Sequence, residues 1–107
     1  MEKELFDWGT GKVTYWALDP IDLDRSAKDQ IQDLQEDLAQ IIYGDEICID
    51  IGWYPECSSD GTFGIHVIRD GNWDEPMLEI RFRSIELLVP TIKFAVTMAD
   101  PAAALRR

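Results

Sequence analysis

Three runs between residues 46 and 83 restrict the fold more than any other part of the chain. EICIDIGWY (46–54), TFGIHVIR (62–69) and MLEIRFR (77–83) each alternate apolar and polar residues. A period of two sends successive side chains to opposite faces of a strand, so each run reads as a half-buried strand. Ile47, Ile49, Ile51 and Trp53 then share one face, as do Phe63, Ile65 and Val67, and Leu78, Ile80 and Phe82. The connections PECSSDG (55–61) and DGNWDEP (70–76) are short and rich in turn formers. Short turns between alternating strands make an antiparallel meander.

The flanking segments add helices to this sheet. VTYWAL (13–18) follows a GTG turn and is β-branched and aromatic, which predicts another strand. DPIDLDR is a loop. From Ser26 the spacing of Ile31, Leu34, Leu38, Ile41 and Ile42 predicts an amphipathic helix. Ser26 and Asp29 stand close to a capping box at its start, and Gly44 ends it. A second helix starts at Ser84, with Ile85, Leu88, Ile92, Ala95, Val96 and Ala99 on one stripe. Pro90 either kinks it or marks the first turn of a helix preceded by a separate turn. Pro101 stops it, and 101–107 reads as a loose tail. The expected architecture is a single α+β domain over 1–107, in β-α-β-β-β-α order. About four antiparallel strands would pack with two helices.

Charge is distributed unevenly over this plan. The net charge is −11, beyond the magnitude of roughly 2 to 8 that suits a small soluble domain. Residues 1–60 carry 15 acids against 4 bases, whereas residues 61–107 carry 6 of each. Such a chain lacks the basic footprint needed for nucleic acid or for an anionic membrane surface. It suits a basic protein partner, because charge that steers a partner has to be concentrated. On the expected first helix Asp29, Asp33, Glu36 and Asp37 fall opposite the apolar stripe. Like charges four residues apart weaken a helix by a few tenths of a kcal/mol per pair, so a face that keeps them points to a use for them. Glu46, Glu56 and Asp60 from adjoining segments extend this partner-binding patch, and Trp73 in GNWDEP is a candidate aromatic anchor.

A catalytic alternative lies on the sheet. His66 is the only histidine and points away from Phe63, Ile65 and Val67. If residue 51 pairs with 65, and 65 with 80, then Asp50, His66 and Glu79 stand in a row, with Arg81 diagonal to His66. Two carboxylates beside an imidazole can orient a general base in a small enzyme or ligand-binding domain. No serine, second histidine or Cys–His pair is placed to complete a nucleophilic triad, so no enzyme activity is expected. The carboxylates of DPIDLDR and SSDG lack calcium-loop spacing. Cys48 and Cys57 match no zinc or redox motif. The glycines form no phosphate-binding loop. No metal or cofactor is therefore expected. The amino terminus MEKELFDWGTGK has no apolar run and reads as no signal peptide. No apolar stretch approaches the roughly 20 residues of a membrane span, so a cytoplasmic protein with reduced thiols is expected.

The run DIGWYPECSSDGTFGIHVIRDGNWDEPMLEIRFRSIELLV (50–89) resembles small bacterial immunity proteins that accompany contact-dependent growth-inhibition and other polymorphic toxins. The resemblance lies in the IDIGWYP strand end, the SDGTF turn, the strand leading into DGNWDEP, and the E-x-R-x-RS-x-E-x-L-V strand-to-helix junction. These motifs are structural, and the segment is 50–89 of the 107 residues. The resemblance implies a protein that neutralises a cognate toxin, commonly a nuclease, by binding it. A nuclease is basic because it must bind nucleic acid. An acidic inhibitor would associate with it quickly through electrostatic steering.

Overall fold

The computed structural model describes residues 1–100 and Ala102. A five-stranded antiparallel sheet runs in chain order: β1 (Lys12–Trp16), β2 (Ala39–Tyr43), β3 (Ile47–Tyr54), β4 (Thr62–Arg69) and β5 (Leu78–Phe82). One α-helix, α1 (Leu88–Ala99), follows the sheet and packs on β3, β4 and β5. Among the described residues the fold is thus α+β, with five strands and one α-helix supplemented by short 3-10 helices. The expected loose tail lies outside the described residues apart from Ala102.

Alternation sets which face is buried. Ile49 pairs with Val67, Ile51 with Ile65, Trp53 with Phe63, and Ile65 with Ile80, all on the face under α1. Leu88, Ile92, Ala95, Val96 and Ala99 close that face from the helix. A 3-10 turn at Ile85–Leu87 precedes α1, and Pro90 lies in the helix's first turn. The backbone N–H groups there have no helical partner, so the missing N–H of proline costs nothing. Ser84 makes no side-chain cap.

The segment from Ser26 to Gly44 is not the expected helix. Ala27–Asp33 is a 3-10 helix broken at Gln30 (φ −135, ψ 32), the chain is irregular through Leu38, and Ala39–Tyr43 is strand β2. Ser26 precedes the 3-10 helix but its side chain caps nothing. Gly44 does not end a helix; it opens the β2–β3 hairpin turn at φ +61, where the absence of Cβ removes the steric penalty. Asp29, Asp33 and Asp37 therefore do not stack on one helical face, and the repulsion a helix would have imposed does not arise.

Two forces favour the strand. The outer edge of β3 needs hydrogen-bond partners over its apolar length, and Ala39, Ile41 and Tyr43 supply a buried face at period two. The buried Gln30 side chain meanwhile fastens the preceding loop. It accepts from the Asp22 N–H (2.8 Å) and donates to the carbonyls of Asp22 (2.8 Å), Arg25 (3.2 Å) and Ser26 (3.3 Å). Leu34, Leu38 and Ile41 of the expected stripe are fully buried on a different backbone, whereas Ile31 and Ile42 are only half-buried and Ile42 lies on the opposite face of the sheet.

Candidate functional site on the open sheet face

The sheet face opposite α1 carries one polar row that crosses every strand. Asp50 pairs with His66 and His66 with Glu79, in the register expected from the sequence. On the other side of Asp50 the row continues through Gln40 on β2 to Tyr15 on β1. Tyr15 reaches this face because β1 is irregular between Val13 and Tyr15. Val13 lies opposite Ile41 while Tyr15 lies opposite Gln40, so the bulge turns Tyr15 outward and lets Trp16 join Val13 against the core.

Two glycines shape the middle of the face. Gly52 and Gly64 are cross-strand partners, and the Tyr54 ring lies over both. A Cβ at Gly64 would meet the Tyr54 ring at 3.3 Å and His66 Cε1 at 3.2 Å. A Cβ at Gly52 would run into the Glu36 carbonyl oxygen and lie 2.8 Å from the Tyr54 hydroxyl. The glycines thus let Tyr54 lie flat enough for its hydroxyl to donate to Asp50 Oδ2 at 3.3 Å. The guanidinium of Arg81 sits 5.6 Å from the centre of the same ring, within cation–π range.

The titratable groups of the row are unequally served. Asp50 is 6% exposed and His66 5%. Nε2 of His66 lies 3.1 Å from Glu79 Oε2, while its Nδ1 is buried without a hydrogen-bond partner. Glu79 Oε1 lies 3.9 Å from Arg81 Nε, so the glutamate stands between imidazole and guanidinium. Burial pushes the Asp50 carboxyl above its ordinary range; the charge of His66 and the Tyr54 hydroxyl oppose this, and Asp37 adds to it. Burial together with Asp50 pushes the Tyr54 phenol up to about 12. Burial and Asp50 likewise push the Cys48 thiol up to about 11.

Two depressions mark the open face. A cleft of about 350 Å³ is lined by Tyr15, Asp37, Ala39, Gln40 and Asp50. Beyond Gln40 a second hollow of about 250 Å³ runs past Ile42, Cys48 and Ile68 to Trp73 and Glu46. Trp73 is 53% exposed, with its ring 5.8 Å from that of His66. It therefore both stands in solvent and leans on the sheet.

The expected partner-binding residues separate into groups. Asp37 lines the cleft, and the neighbouring Glu36 donates its N–H to Glu56 Oε1 at 3.3 Å. Glu46 and Trp73 line the far hollow. Asp29 and Asp33 lie on the 3-10 helix, and neither lines the cleft. Asp60 sits in the β3–β4 loop, where its carbonyl accepts from Arg83 at 3.1 Å. Reading 39–43 as helix hid Gln40, and the bulge hid Tyr15. The signal that betrays Tyr54 is the facing Gly52 and Gly64, since paired glycines inside strands mark the close approach of another group.

Among the described residues no group of three His, Cys, Asp or Glu side chains is placed to hold a metal ion, so the row is spread along the sheet and does not converge. No hydroxyl nucleophile hydrogen-bonds to His66 there. The arrangement is one of hydrogen-bond acceptors and aromatic rings around an open cleft. Among the described residues no helix is long and apolar enough to cross a membrane. No protein-family model matches the chain, and neither the curated proteins nor the solved structures yield a match.

Proposed function

We propose that this chain is a non-catalytic inhibitor: a cytoplasmic immunity protein that binds a basic, nuclease-type toxin domain through the acidic end of its open sheet face. The observation that carries this reading is Asp37 lining a cleft with the buried Asp50, next to the hydrogen-bonded Glu36 and Glu56, in a chain of net charge −11. Concentrated negative charge accelerates the approach of a basic partner and selects against acidic ones. Tyr15, Tyr54 and Trp73 add aromatic surface of the type found at the centre of protein interfaces. The resemblance of residues 50–89 to immunity proteins supports the same reading.

The test is to express the toxin domain encoded beside this chain, with and without it, and to follow growth and association. Protection is expected, with an on-rate that falls steeply as salt rises. Reversing Glu36, Asp37 and Glu56 to lysine should slow association by about tenfold or more at low salt. Absence of protection, or an on-rate indifferent to both salt and charge reversal, defeats the proposal.

A second reading is favoured by the His66–Glu79 pair, whose Nδ1 is buried without a partner. In this reading the row around Asp50, His66 and Glu79 binds a small ligand or acts on one. It requires His66 itself: if His66→Gln preserves protection in full, the row is not needed for inhibition.

A further inference from the structure

We propose that the cleft between β1, β2 and β3 is the receptor for one arginine side chain of the protein partner, with its guanidinium seated against Asp50. This rests on the reading above that the partner is a basic protein. Asp50 lines the cleft yet is almost fully buried. Among the described residues the ion pairs are His66–Glu79 and Arg81–Glu79, so no cation of the chain bridges Asp50. Its Oδ2 accepts from the Tyr54 hydroxyl, and its Oδ1 accepts from no described residue. A buried carboxylate without a bonded cation is costly, and a charge so placed normally finds a partner. The fold leaves this carboxylate facing an open cleft.

The surroundings select the kind of cation. His66 on β4, Tyr54 and Cys48 on β3, and Asp37 from the segment before β2 are the charged or titratable groups that act on or feel Asp50. All but His66 are a carboxyl, a phenol or a thiol, which favours a cation. The lining offers the buried Asp50 and the exposed Asp37 and Gln40. Tyr15 stands exposed beside them. Several acceptors beside an aromatic ring suit a planar fork of five donors that stacks on rings and is weakly hydrated. An ammonium, compact and strongly hydrated, uses fewer of these contacts.

The probe is N-acetyl-arginine methylamide, titrated into the full chain at low salt and followed through backbone amide NMR, with the matching lysine compound as control. Saturable shifts at Tyr15, Gln40 and Asp50 are expected, with the lysine compound binding several-fold more weakly. Asp50→Asn should weaken the arginine compound by about tenfold or more, since one partner of a desolvated pair is removed. Tyr15→Ala, on an exposed position that leaves the core intact, should weaken the arginine compound and leave the lysine compound unaffected. Absence of saturable shifts at the cleft, or equal binding by Asp50→Asn, overturns the proposal. The two readings fail separately. If toxin inhibition survives Asp50→Asn with an unchanged off-rate, the receptor is wrong and the inhibitor stands. If the arginine compound binds at the cleft of a chain that protects no cell, the receptor stands and the immunity reading falls.

Discussion

The two faces of the sheet are made by the same strands and obey different rules. On the face under α1, Ile49, Ile51, Phe63, Ile65 and Val67 are buried among apolar neighbours, and no group there needs a partner from outside. On the opposite face Asp50 and His66 are also buried, yet one lacks a bridging cation and the other keeps an unbonded ring nitrogen. A protein interior tolerates few unsatisfied polar groups. The difference teaches that the first face is finished by folding alone, while the second is left with polar groups that folding does not fully serve.

Substitutions sharpen this contrast, beginning with the covered face. Phe63 is fully buried, with its ring centroid 4.9 Å from that of Trp53 and 5.3 Å from that of Phe82. Phe63→Ala should cost about 3–5 kcal/mol in urea unfolding through lost transfer energy and the cavity left behind. A loss below about 1 kcal/mol would mean that the face is not close-packed.

The open face should respond to added volume more than to removed volume. Gly52→Ala drives a Cβ into the Glu36 backbone carbonyl, which cannot rotate aside as a side chain can. A cost of about 1–3 kcal/mol is expected, together with displacement of the Tyr54 ring seen as a change in near-ultraviolet circular dichroism. Gly64→Ala meets only side-chain atoms at 3.2 Å and beyond, and should cost less. Equal costs at the two positions would show that the crossing of the Glu36 carbonyl over β3 is unimportant.

The smallest effect has the opposite sign. Burial raises the Asp50 carboxyl in the folded chain above its unfolded value, so the folded state holds that proton more tightly. Its contribution to stability is then fully present below the unfolded value of about 3.9 and is lost as pH rises through the raised folded value. Asp50→Asn keeps the shape and an acceptor for the Tyr54 hydroxyl but removes the charge. It should be more stable than the parent at neutral pH, with the difference closing as the solution is acidified. Paired urea titrations across that window measure it. A parent more stable than Asp50→Asn at neutral pH would mean that Asp50 already has its counterion, and the contrast between the faces would collapse.

Much of this site was legible before folding was considered. The alternation of residues 46–83 placed Asp50, His66 and Glu79 on one face, because a slip of one residue would have exchanged core for solvent; a slip of two would have kept the faces and broken the row, and the pairing of the strands excludes it. Gln40 and Tyr15 could not be read in the same way. The apolar residues of 31–42 satisfy a helical period, while Ala39, Ile41 and Tyr43 also satisfy period two, and local pattern cannot choose between them.

What the sequence determined by itself, then, is the burial: the residues of β3, β4, β5 and α1 that face the core, together with Leu34, Leu38 and Ile41, and the excess of acid in the first 60 positions. Burial follows from side-chain chemistry, which is local. What the tertiary structure decided is the backbone of residues 26–43 and hence where the acids stand. The edge of β3 required hydrogen-bond partners that a helix cannot offer, and β2 supplied them. That long-range demand converted an expected acidic helix into a strand, dispersed Asp29 and Asp33, and brought Asp37, Gln40 and Tyr15 to the cleft beside Asp50.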